Sequence, residues 1–178
     1  MQGGAAAPQA GGAGAPQGPS PAQLPQGAQA AQGAPTIDSV VSQIGTSQDS
    51  LGNVQNKLNT KDLRLTNSQK HLVRNKLSNT STYLRAVNAK LGVDTPPMPP
   101  HTGGPIEKFL SYVQDGENQM NAAKQKLMQI KSDGSNMSPA DMMLIQIKMN
   151  QAQLEISYTS TLLGKVISSL TQILNTQL

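Results

Sequence analysis

A chain of 178 residues with a net charge of +4 carries no Cys, no Trp, a single Phe (Phe109) and three Tyr (Tyr83, Tyr112, Tyr158). The missing cysteine excludes disulfides, thiolate catalysis and Cys-based zinc sites, and it leaves the cellular compartment open. So few rings supply little of the buried area that a compact enzyme core draws on. The Leu, Ile, Val and Met that remain fall in stripes, which suits helices that find partners.

Residues 1–36 hold 8 Gly, 6 Pro, 11 Ala and 7 Gln, and the first charge is Asp38. Such a segment has almost no apolar surface to offset the entropy of ordering it, so a disordered Ala/Gly/Pro/Gln tail is expected, and it could carry an export signal. No cationic, apolar leader of the Sec type follows Met1, and no run approaches the ~18 apolar residues of a membrane span.

The next segment, 37–93, reads as helical and basic. Thr36 can cap a helix, and Ile37, Ile44, Leu51, Leu58, Leu65 and Leu72 recur every seventh residue, interrupted by Gly45 and Gly52. Before about Asn53 this makes a marginal helix. From about Lys61 to Leu91 the steps of four and three through Val73, Leu77, Thr80, Leu84, Val87 and Leu91 predict a better one, stopped at Gly92. Eight cations between Lys57 and Lys90 face Asp62 alone, a local charge of +7. At ~100° per residue they scatter around the helix, with no aromatic ladder between them, so they read as a solvated face and nucleic acid is not favoured as a partner. Residues 94–105 are a Pro/Gly linker.

The last segment, 106–178, reads as a helical hairpin of 106–131 and 139–178. In its first arm Ile106, Val113, Met120 and Leu127 alternate with Phe109, Ala123 and Ile130, and Gly116 breaks the pattern. A turn over Ser132–Asn136 follows. Ser138 suits an N-cap, Pro139 the first helical position, and Asp141 lies three after the cap. Beyond it, Met142, Met149, Ile156, Leu163 and Leu170 form one seam, and Ile145, Ala152, Thr159, Val166 and Ile173 a second. Ile147, Leu154, Tyr158 and Leu162 line a further flank, widened by Leu144, Ile167 and Leu174. A rod of forty residues, roughly 60 Å long, is then apolar on more than one side. One partner helix cannot cover it, so the expectation is burial by other subunits. The methionines Met142, Met143 and Met149 read as core filler before they read as an adaptable groove.

Nothing converges into catalytic chemistry. The ten carboxylates are scattered, His71 and His101 have no paired ligand spacing, and Gly164-Lys165 lacks the rest of a phosphate loop. The chain is expected not to be an enzyme and to need no cofactor, metal or small-molecule substrate.

The segment from Ser138 onward resembles the inner-rod (needle-adapter) subunits of bacterial type III secretion systems. The resemblance rests on the Ser138-Pro139 cap, Met142, Leu144, Gln146, Met149, Leu154, Ser157, the triplet Ser160-Thr161-Leu162, Lys165 and the terminal Ile173-Leu174. It covers about forty residues closely and 106–131 only in kind, and it leaves the first hundred residues unexplained. It implies an all-α structural subunit in the cell envelope, exported without a cleaved signal and linking the membrane export gate to the needle. Its implied partners are copies of itself, needle subunits and export-gate proteins. Met142, Ile145, Met149, Ala152, Ile156, Leu163, Val166, Leu170 and Ile173 are the expected contact residues. Pro139, Gln146, Leu154, Ser160, Thr161, Leu162 and Lys165 carry the family-like motif. The competing readings are a flagellar rod or basal-body junction component, a cytosolic coiled-coil chaperone or regulator of secretion, and a membrane-active translocator.

Overall fold

A computed structural model describes residues 35–98 and 103–176. The tail expected over 1–36 lies outside them apart from Pro35 and Thr36. The described residues are all-α, as the periodicity predicts, in four helices: α1 (Ile37–Leu58), α2 (Asn67–Lys90), α3 (Pro105–Ser132) and α4 (Pro139–Thr176).

Local chemistry sets the boundaries. Thr36 and Thr66 each close a capping box, with Ser39 and Gln69 respectively, which satisfies amide groups that the first helical turn leaves open. Ser138 accepts the amide of Asp141 at 3.1 Å, and its hydroxyl donates to the Asp141 carboxylate at 2.7 Å, in the cap position that the sequence indicates. Gly92 and Gly134, both at positive φ, end α2 and α3. There Val93 and Ser135 donate back to the carbonyls of Asn88 and Ile130, a turn that needs the left-handed backbone glycine adopts without strain.

The first helix is continuous over 22 residues, and a turn at 59–66 separates it from the second, which begins at Asn67 and not near Lys61. The turn bends through Asp62 at φ +61, and the Thr66 box restarts the helix. The sevenfold repeat is lost there. Leu58 and Leu65 are buried, Leu72 faces outward, and Val73 takes over the core position.

Backbone packing pairs α1 with α3 and α4, and α2 with α3 and α4. Neither α1 and α2 nor α3 and α4 come within packing distance. Consecutive helices joined by short turns therefore occupy diagonal corners of a four-helix bundle. Cross-bundle bonds give the directions. Gln43 to Asn150 and Lys57 to Ser160 set α1 parallel to α4. Asp38 to Lys131 and Gln48 to Asn121 set it antiparallel to α3. Lys76 to Glu155 and Lys90 to Asp141 make α2 and α4 antiparallel, whereas Ser81 to Asp115 and Asn88 to Gln119 make α2 and α3 parallel.

The 106–131 and 139–178 arms thus follow one another through a short turn but do not pack as a closed hairpin. Each has two broad apolar faces, and α1 and α2 fill the space between them. Ile44, Leu51 and Val54 of α1, Val73, Leu77, Leu84 and Val87 of α2, Phe109, Val113, Met120 and Leu127 of α3, and Ile145, Met149 and Ile156 of α4 are almost completely buried in one core.

A polar network fixes the parallel α2–α3 pair. Arg85 pairs with Asp115 at 2.9 Å, Ser81 donates to the same carboxylate at 2.7 Å, and Gln119 also donates to it. Arg85 reaches on to the carbonyl of Pro96 at 2.8 Å. The start of the proline-rich linker is thereby held against the bundle at Pro96. Replacing Asp115 with Ala should cost about 2 kcal/mol, because it strips a partly buried guanidinium of its counter-charge. Denaturant titration measures it.

Gly116 interrupts the sequence pattern for a packing reason. A Cβ there would lie 2.9 Å from a Leu51 methyl and 3.5 Å from one of Leu84. Gly116→Leu is therefore expected to destabilise the bundle by about 1–3 kcal/mol through overpacking. Gly45 and Gly52 face open space, so Gly52→Ala should stabilise it by about 0.5–1 kcal/mol. Thermal melts of the two variants should move in opposite directions.

Candidate assembly surface

The longest helix has two parts. Up to Leu163 its inner face is buried by its own chain: Met142, Ile145, Met149, Ala152, Ile156, Thr159 and Leu163 are all in the core. Lys57, in the last turn of α1, donates to the carbonyl and hydroxyl of Ser160 at 2.9 and 2.7 Å. Its ammonium lies 3.6 Å from where a Cβ on Gly164 would stand. There α1 ends, and α4 runs on, with Val166 its last hydrophobic residue packed against the core. The eleven residues after Lys165 to the helix end, about 17 Å of helix, contain no fully buried side chain. Val166, Ile167 and Leu170 are half-buried, and Ile173 and Leu174 are 56% and 55% exposed. No charge interrupts this overhang.

A second apolar feature runs along the outer face of α4. Met143, Ile147, Leu154 and Tyr158 recur at helical spacing and are exposed, Leu154 to 71%. Lys76 covers one end of the stripe. Its ammonium lies 4.8 Å from the centre of the Tyr158 ring and 2.8 Å from the Glu155 carboxylate.

The contact residues expected from the sequence therefore divide. Met142, Ile145, Met149, Ala152, Ile156 and Leu163 lie in this chain's own core, while Val166, Leu170 and Ile173 lie on the overhang. Of the family-like motif, Pro139, Leu154, Thr161 and Lys165 are exposed, and Gln146, Ser160 and Leu162 are half-buried. Heptad spacing finds apolar faces, but it cannot tell an intramolecular partner from an intermolecular one. The outer stripe was visible as the Ile147, Leu154, Tyr158 flank, and Met143 is the member that core-filler reasoning misplaced.

Residues 105–176 match the family model of the type III secretion needle, MxiH, YscF, SsaG, EprI, PscF and EscF. The match takes in α3 and α4 whole and no part of α1 or α2. It spans 72 of 178 residues, so what is similar to the needle family is the α3–α4 segment. That family is structural and not enzymatic. The resemblance drawn from sequence and the matched family concern the same apparatus, but the matched family is the needle and not the inner rod. A Ser-Pro cap opening a long apolar last helix is too general a signal to separate the two families. No match was found among curated proteins or among solved structures.

Other surface features carry less. Lys70, His71, Arg74 and Lys108 line a cleft of about 410 Å³ where α2 and α3 begin. Among the described residues no group of three or more His, Cys, Asp or Glu could hold a metal ion, and no helix is long and apolar enough to cross a membrane.

Two charged groups on the α4 seam titrate away from their ordinary values. The hydrogen bond from Ser138, aided by Lys90, holds the Asp141 carboxyl below the usual 3.8. The bond to Glu155 raises Lys76 above the usual 10.5. A depressed acid stabilises the fold above its unfolded pKa and loses that contribution as pH falls through the folded one. A raised base stabilises below its unfolded pKa and loses that as pH rises through the folded one. The melting difference between the natural chain and Asp141→Asn should therefore shrink below about pH 4. For Lys76→Gln it should persist from neutrality to about pH 10 and shrink above.

Proposed function

We propose that this chain is a structural subunit of a bacterial type III secretion apparatus, exported and assembled on the cell envelope through its α3–α4 module. The observation that carries this reading is the needle-family match over α3 and α4. The unpartnered α4 end supports it, because an isolated helix of eleven residues is marginal in water and gains stability by packing on neighbours. Contacts with copies of itself and with needle subunits follow from such a module, and α4 beyond Leu163 is the part already open to make them in the closed bundle.

A needle-type role is favoured over an inner-rod or adapter role, because the matched family is the needle. The adapter reading keeps one observation of its own. The module is preceded by about a hundred residues that the needle model does not cover, enough to reach an export-gate component.

Leu163 and Ile173 separate folding from assembly. Leu163→Asp puts a charge into the core and should destabilise the monomer by about 3–5 kcal/mol. Ile173→Asp should leave the melting temperature nearly unchanged, yet remove the chain from detergent-extracted secretion complexes analysed by mass spectrometry. Normal incorporation and secretion with Ile173→Asp would refute the proposed contact surface, and absence of the natural chain from those complexes would refute the function.

A further inference from the structure

The needle-type module is not free to act as one in the structure described above. Its two helices sit at diagonal corners and do not pack on each other. The α3 face formed by Phe109, Val113, Met120 and Leu127, and the α4 face formed by Ile145, Met149 and Ile156, are closed by α1 and α2, which lie outside the matched region. Two amphipathic helices without such a cover must bury those faces on each other or on further copies. Here the cover is supplied in cis.

We propose that α1 is an internal guard over the self-association surface of this chain: it occupies the α3 and α4 faces that a second copy takes when α1 is released. The inference rests on the reading of α3–α4 as an assembly module and adds its regulation.

The bonding of α1 fits a removable element. It carries Gly45 and Gly52, which weaken it as a helix and touch nothing a methyl would meet. Its polar attachments lie at or near the surface: Asp38 to Lys131, Gln43 to Asn150, Gln48 to Asn121 and Lys57 to Ser160. Inside the bundle, the Ser47 hydroxyl is buried with no hydrogen-bond partner among the described residues, as are the Asn88 and Gln119 amide oxygens between α2 and α3, so α1 gives up no fully buried hydrogen bond when it leaves. By contrast α2 is bound to α3 and α4 by the Arg85–Asp115 and Lys76–Glu155 pairs, both largely shielded from solvent. Release of α1 with α2 retained therefore breaks the fewest strong contacts.

The chain has no natural cysteine, so a tether can be installed cleanly. Full-length protein carrying Gln48→Cys and Asn121→Cys is joined by a short bis-maleimide, or capped singly with N-ethylmaleimide as control. Association is followed by light scattering and electron microscopy. The capped form should assemble, and the tethered form should remain monomeric at the same concentration. Two folded variants grade the effect without a tether. Leu51→Ala, which loosens α1, should speed assembly by about tenfold or more, and Gly45→Ala with Gly52→Ala should slow it several-fold. Equal assembly of tethered and capped protein overturns the guard and leaves the subunit reading standing, since the closed bundle is then the building block. If no form assembles, Leu51→Ala included, the guard is overturned as well, and the subunit reading then depends on whether the chain is found in extracted secretion complexes.

Discussion

The fold depends on how the apolar surface of α4 is covered. A 38-residue helix with two seams needs more than one neighbour, and in this chain α1 lies parallel to it and α2 antiparallel, with α3 kept at the far corner. Everything else follows from that placement. The turn at 59–66 must carry the chain diagonally across the bundle. Because α3 runs parallel to α2, it starts beside the start of α2 and not beside its end. The Arg85, Asp115 and Ser81 network then holds two parallel helices that a short turn could not have joined.

Coverage also explains why the surface divides at Leu163. α1 ends at Leu58, and Lys57 closes the contact over Ser160. Past Leu163 α4 has no fully buried side chain among the described residues, and the same repeat that builds the core becomes a projecting apolar strip. One pattern therefore serves two ends. Its first part holds the bundle together, and its last part stays half-buried or exposed.

Much of this was legible in the residues. The Ser138 cap, the stop at Gly92, the core positions from Val73 to Leu91 and the two seams of the last helix all follow from capping chemistry and periodicity. The continuity of α1 was harder to read, because Gly45 and Gly52 lower intrinsic helicity while tertiary burial of Ile44, Leu51 and Val54 overrides it. Gly116 looked like a flaw in α3, since a single strand of sequence does not show Leu51 and Leu84 approaching from two other helices. The diagonal arrangement was out of reach for the same reason. Periodicity reports that a face is apolar and not which face meets it.

The order of the helices bears on when the chain can fold. Of the four contacting pairs only α2 with α3 joins consecutive elements, and the cover for α4 comes from segments roughly 50 to 110 residues upstream. Loops that long are entropically slow to close, so this topology delays tertiary structure compared with a bundle of nearest-neighbour hairpins. A nascent chain cannot complete its core before its last helix has been made. On the proposed export of this chain, late closure lengthens the interval in which it can still be threaded through a secretion channel.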